Sequence, residues 1–95
     1  MVSTIYTRVD QLTVTTTVLV VSENQKRNGI YLKNVGTTTI SLSFSDNIAA
    51  TALYGVVLEP GDTVQDFTQL PYRCWDGKIT AISSAAGGKL SVYER

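Results

Sequence analysis

Apolar side chains recur at every second residue along most of this chain, a period that suits a pleated strand with one buried face and does not suit a helix. TISLSFS is the clearest instance: Ile40, Leu42 and Phe44 share one face, and Ser41, Ser43 and Ser45 share the other. GIYLKN directs Ile30 and Leu32 inward and leaves Tyr31 and Lys33 outward. LTVTTTVLVV sets Leu12, Val14, Thr16, Val18 and Val20 against Thr13, Thr15, Thr17, Leu19 and Val21. Further on, LYGVVLE, DTVQDF, KITAIS and KLSVYE each carry a strand's worth of β-branched or aromatic residues.

Turn signals punctuate these runs at fairly even spacing: Asn28-Gly29, Val35-Gly36, Pro60-Gly61, Asp76-Gly77 and Gly87-Gly88. In Glu59-Pro60-Gly61-Asp62 the proline fixes φ at the second turn position and the glycine supplies the positive φ of a type II turn at the third. Gly87-Gly88 suits a hairpin between the last two strands. Arg27 to Asp46 reads as another hairpin, whose Thr/Ser rows would form a hydroxyl-rich outer face able to bond a neighbouring subunit. SDNIAATALYG is the one candidate helix, and Thr51 and Gly55 limit it to a loop with at most one helical turn. The pattern predicts an all-β fold, an antiparallel β-sandwich of seven to eight short strands, with the jelly roll among its arrangements. Ile30/Leu32, Ile40/Leu42/Phe44, Val56/Leu58, Ile79/Ala81 and Leu90/Val92 should fill the space between the sheets. Residues 12–95 form the domain, and residues 1–11 an arm or an edge strand.

At 95 residues the chain is one domain, and 43% hydrophobic with 17% charged composition argues for a folded globule. Eight basic and eight acidic side chains leave no net charge, which speaks against nucleic acid as partner. Lys26-Arg27, the nearest thing to a basic patch, reads as a solvated pair in a connection. With no histidine, Cys/His zinc sites and histidine-activated nucleophiles drop out. A serine–lysine pair using Lys78 or Lys89 has nothing to mark either lysine as buried. Asp46, Asn47, Asp62, Asp66 and Asp76 lack the ligand alternation of a calcium loop and read as turn residues. Cys74, the single cysteine, forms no intrachain disulfide and reads as a small filler beside Trp75, consistent with assembly in a reducing cytoplasm. The N-terminus has no signal-peptide pattern, and no apolar run reaches the roughly 20 residues of a membrane span. The expectation is therefore a non-enzymatic protein without cofactor or metal.

Tyrosine, tryptophan and arginine are enriched where protein surfaces meet, and LPYRCWDG gathers Tyr72, Arg73 and Trp75. Those three, with Val2, Ile5, Tyr6 and Arg8 of the N-terminal segment, are the candidate partner contacts. The order of elements resembles the small β-sandwich modules of tailed-bacteriophage virions, found in capsid cement (decoration) proteins, head fibres and some tail-fibre components. The resemblance rests on Arg-x-Gly-hydrophobic-x-Leu-x-Asn at Arg27 to Asn34 and x-Leu-x-Pro-Gly-Asp at Leu58 to Asp62. Ile-x-Ala-Ile-Ser at Ile79 to Ser83 and the closing Leu-Ser-Val-x-Glu at Leu90 to Glu94 complete it. It covers roughly residues 12 to 95. It implies a virion structural role on the capsid surface, after assembly in the bacterial host cytoplasm, as a homotrimer bound to the major capsid protein. Two rival expectations stand beside it: a head- or tail-fibre module binding host glycan through an aromatic face, and a connector or tail component.

Overall fold

Each apolar row finds its partner antiparallel, and the pairs nest inside one another. The computed structural model describes residues 6–12, 17–51, 53 and 55–95. These form β1 (Tyr6–Leu12), β2 (Val18–Val21), β3 (Gly29–Asn34), β4 (Ile40–Phe44), β5 (Val56–Leu58), β6 (Thr63–Phe67), β7 (Ile79–Ser83) and β8 (Gly88–Glu94), with no helix among the described residues. β1 pairs with β8, β2 with β7, β3 with β6 and β4 with β5. β8 also pairs with β3, and β7 with β4. Two four-stranded sheets result, β1-β8-β3-β6 and β2-β7-β4-β5. A long hairpin wound across two facing sheets in this order is the jelly-roll form of the sandwich.

The core is the one expected from alternation. Val20, Val21, Ile30, Leu32, Ile40, Leu42, Leu58, Ile79, Ala81, Leu90 and Val92 are buried together, with Val18, Phe44, Val56, Val64 and Trp75 packed against them. Burying such side chains is worth roughly 1.5–3 kcal/mol apiece before chain entropy is charged against it. The Glu59–Asp62 turn has the expected form: Asp62 N–H donates to the Glu59 carbonyl at 2.9 Å, and Gly61 sits at φ 89°.

Four expectations need correction. Gly87-Gly88 is not a hairpin turn, because β7 and β8 belong to different sheets, and Arg27 to Asp46 likewise crosses from β3 in one sheet to β4 in the other. A turn signal marks where a strand ends; it does not say whether the chain returns in its own sheet or crosses the ~10 Å to the facing one. Of the connections between described strands, only β4–β5 stays within a sheet. The expected run from Leu12 to Val21 is divided: β1 ends at Leu12, β2 begins at Val18, and residues 13–16 lie outside the described residues. A register shift between Leu19 and Val21 then breaks strict alternation, so Val20 and Val21 are both buried while Leu19 is exposed. β1 itself is the edge strand of its sheet.

The fourth correction concerns the serine face of β4. Its hydroxyls do not await a neighbour, because the 45–55 connection lies back over them. Ser41 Oγ accepts the Leu53 N–H at 2.8 Å, and Ser43 Oγ donates to the Ile48 carbonyl at 2.7 Å. Thr80 Oγ1, on the adjacent strand, accepts the Ala50 N–H at 2.9 Å, and Thr17 Oγ1 donates to the Ala50 carbonyl at 2.9 Å. Ser41 is consequently only 2% exposed. Sequence alternation shows that these serines point away from the core but not what covers them. Ser41→Val should leave the Leu53 N–H without its acceptor at a cost of about 1–3 kcal/mol. Hydrogen exchange should then show faster exchange at residues 48–53 than in β3 or β8.

Candidate functional site

The sandwich is lopsided. At one end the connections are short, at 35–39, 59–62 and 84–87; at the other run the longer 22–28, 45–55 and 68–78. These three are tied together. Asn24 N–H donates to the Asp76 carbonyl at 2.8 Å, and Lys78 N–H to Asp46 Oδ1 at 3.0 Å. Gly77 fits only because it has no side chain: a Cβ there would stand 2.4 Å from Trp75 Cζ2 and 2.7 Å from Asp46 Oδ1.

Arg27 lies at the centre of this end, and the expectation that it is solvated is wrong. It is fully buried, with Nε donating to Glu94 Oε2 at 2.6 Å. Nη1 reaches the carbonyls of Trp75 at 2.9 Å and Gly77 at 3.0 Å, while Nη2 reaches that of Ser22 at 2.6 Å. A buried guanidinium requires acceptors around its planar fork, and three separate connections and strands converge to supply them. Nothing in the local pattern separates Arg27 from its exposed neighbour Lys26. The one signal was the place of Arg27 at the head of the motif running to Asn34.

The 68–78 connection is held firmly at its base and exposed at its tip. Gln69 and Tyr72 exchange backbone bonds at 3.0 and 2.8 Å around a cis Leu70–Pro71 bond, leaving Leu70 84% exposed. Tyr72 donates its hydroxyl to Asp66 Oδ1, while Asp66 Oδ2 accepts the Trp75 N–H at 2.7 Å. The hydrogen bond to the Asp66 carboxylate, aided by slight desolvation, raises the Tyr72 pKa above its ordinary 10.0. Trp75 is half-buried against the core, its indole N–H donating to the Lys78 carbonyl at 3.0 Å. Arg73 is exposed, with Nη2 3.1 Å from the Gln25 carbonyl and 3.8 Å from Asp76 Oδ2. Cys74 is buried, its thiol directed at the Arg27 carbonyl at 3.5 Å.

Of the seven contact candidates, Val2 and Ile5 lie outside the described residues. Tyr6 and Arg8 are on β1, opposite Glu94 and Val92 in register. Because Glu94 also binds Arg27, which holds the Trp75 carbonyl, β1 begins at the end where Tyr72, Arg73 and Trp75 gather. Leu70 and Ile48, neither singled out from sequence, are the apolar residues this end exposes most among the described residues, at 84% and 69%; Leu53, 68% exposed, lies back over β4 beside Ser41. Leu53 adopts a left-handed φ of 66°, uncommon for a branched side chain. The depression lined by Asp46, Asn47, Ile48, Ala49, Lys78 and Thr80 encloses about 120 Å³. Small-molecule sites run to roughly 300–1,000 Å³. Among the described residues no group of three or more His, Cys, Asp or Glu could hold a metal ion. No described helix is long and apolar enough to cross a membrane.

No protein-family model and no curated protein matches this chain. Among solved structures it is similar to a chain from Bacillus endospore appendages, described as forming a novel family of disulfide-linked pili. The TM-score is 0.50 at 17% identity, covering 96% of this chain and 82% of that one. The all-β sandwich is thus shared; identity at this level carries the fold and nothing further.

Two measurements probe this end. Arg27→Met alone and Glu94→Leu alone should each lower unfolding free energy by about 3–5 kcal/mol, because each strands one buried charge. The double variant should lose less than the sum of the two, as read from urea titrations. A phenol titrating above 10.0 should vanish in Tyr72→Phe and fall back toward 10.0 in Asp66→Asn. The stabilisation from this bond is complete below pH 10.0 and is lost as pH rises through the raised value.

Proposed function

We propose that this chain is a structural module of a phage particle, a cement protein that binds outside the major capsid lattice as a homotrimer and ties its subunits together. It catalyses no reaction and takes no cofactor in this role. The observation carrying the proposal is the display of Leu70. It stands almost wholly in water at the tip of a turn closed by two backbone bonds and braced by Tyr72 on Asp66. An apolar side chain held so firmly in water costs free energy alone and returns it when a partner covers it. Ile48 and Tyr72 at the same end extend the surface that partner could cover. Many identical copies on a lattice make modest contacts sufficient, through multivalency.

A disulfide-linked fibre, as named for the structural neighbour, is the weaker reading. The single cysteine is buried and faces the Arg27 carbonyl, so it is not presented to another chain. Leu70→Asp should leave the melting temperature within a few degrees, as surface changes do. It should reduce capsid occupancy, measured by co-sedimentation with particles lacking this protein, by about tenfold or more. Removal of residues 1–5 in a parallel sample tests the N-terminal contribution. Unchanged occupancy in both would remove this end from the account.

A further inference from the structure

The outer face of the β1-β8-β3-β6 sheet has a composition that the loop-rich end lacks. Its outward positions on β3 and β8 hold Tyr31 beside Tyr93, directly opposite in register, with Lys33, Lys89 and Arg95 around them. Lys33 and Lys89 are exposed and make no ion pair with a described residue. Arg95 is fixed in place: its guanidinium lies 4.8 Å from the centroid of Phe67. Phe67 in turn lies over Gly29, so close that a Cβ there would stand 1.9 Å from the ring. Neither Tyr31 nor Tyr93 uses its hydroxyl in a bond to a described residue. The remaining described outward positions on β8 and β6 carry Ser91, Thr63 and Gln65, so no acidic side chain falls among the described side chains of this face. In a chain whose eight acidic and eight basic groups cancel, that is a segregated positive surface.

We infer that this sheet face binds an acidic polysaccharide, with the Tyr31–Tyr93 pair under the sugar rings and Lys33, Lys89 and Arg95 on their carboxylates. Three features select that ligand chemistry. The C–H face of a sugar ring is apolar and its rim is hydroxylated, matching a phenol that offers both a ring and a free O–H. Lys89 on β8 and Arg95 just past its end stand about 20 Å apart at 3.4 Å per residue, with Lys33 on β3 opposite Ser91 between them, a spacing that suits a chain charged at intervals. Protein–protein interfaces are depleted in lysine, whereas this face presents two, Lys33 and Lys89. Single-stranded nucleic acid is the other ring-stacking polyanion, but it favours domains with a basic excess, which this chain does not have. The inference stands independently of the cement proposal, because it uses a different surface.

Isothermal titration of the full chain with oligogalacturonate, a neutral maltooligosaccharide of equal length, oligo-dT and polyglutamate separates the possibilities. Oligogalacturonate should bind, and the others at least about tenfold more weakly, with affinity falling as ionic strength rises. The double variant Lys33→Gln/Lys89→Gln should lose about tenfold in affinity, and Tyr31→Phe and Tyr93→Phe, which keep the rings in the sheet, about two- to fivefold each. Leu70→Asp should bind oligogalacturonate like the parent. Absence of binding overturns the inference. So does equal binding of polyglutamate or oligo-dT, since either means the face accepts any polyanion or a base, and so does equal binding of the neutral sugar.

Discussion

A guanidinium withdrawn from water must be answered by fixed acceptors, and around Arg27 those acceptors come from places far apart in the chain. Ser22 belongs to the 22–28 connection, Trp75 and Gly77 to the 68–78 connection, and Glu94 to the last strand. Hydrophobic burial between two sheets is non-directional and would tolerate some sliding. Hydrogen bonds to a planar fork would not, so this one side chain fixes how both sheets and two loops meet at that end. The other end is closed on the same logic by Asn34. It is fully buried, donating to the carbonyls of Thr38 at 2.7 Å and Leu58 at 2.9 Å and accepting the Gly36 N–H at 3.0 Å. Two buried polar side chains flank β3, one before it and one at its end, and among the described residues no buried side-chain polar atom lacks a partner.

The hydroxyl groups do comparable work outside the core. Ser41, Ser43, Thr80 and Thr17 lash the backbone of residues 48–53 to the sheet, so that Ile48 and Leu53 stay in water on a segment held by polar contacts. The 68–78 connection repeats the scheme with Asp66 as anchor and Leu70 as the exposed group. Both segments put apolar side chains outward on a braced backbone. A partner that covers them therefore meets surface already ordered, and the entropy of ordering it falls on folding rather than on binding.

Much of the fold could be read from the chain because burial on one face of a strand imposes a period of two, and a period survives in sequence. Every expected core row, from Ile30/Leu32 to Leu90/Val92, lies in or against the buried cluster. What failed were inferences about neighbours. Alternation says that Ser41 points away from the core, but only the course of residues 45–55 decides whether water or backbone meets it. A glycine pair at 87–88 signals a turn, but which sheet receives the next strand depends on pairings set by β1 and β3. Arg27 was misjudged because charge next to charge in a connection usually means solvent, and three of its four acceptors, at Trp75, Gly77 and Glu94, lie 48, 50 and 67 residues away, beyond any local window. Of the contact candidates, the aromatic cluster at Tyr72 to Trp75 was visible by composition, whereas Leu70 beside it was hidden as one more leucine.

The strand order has a consequence for biosynthesis. β7 lies between β2 and β4, and β8 between β1 and β3, so the two latest strands are interior members of their sheets. While a ribosome is still delivering them, the earlier strands have gaps where their hydrogen-bonding neighbours belong, and Arg27 lacks Glu94. The nascent chain can collapse but cannot close either sheet until β7 and β8 have both emerged.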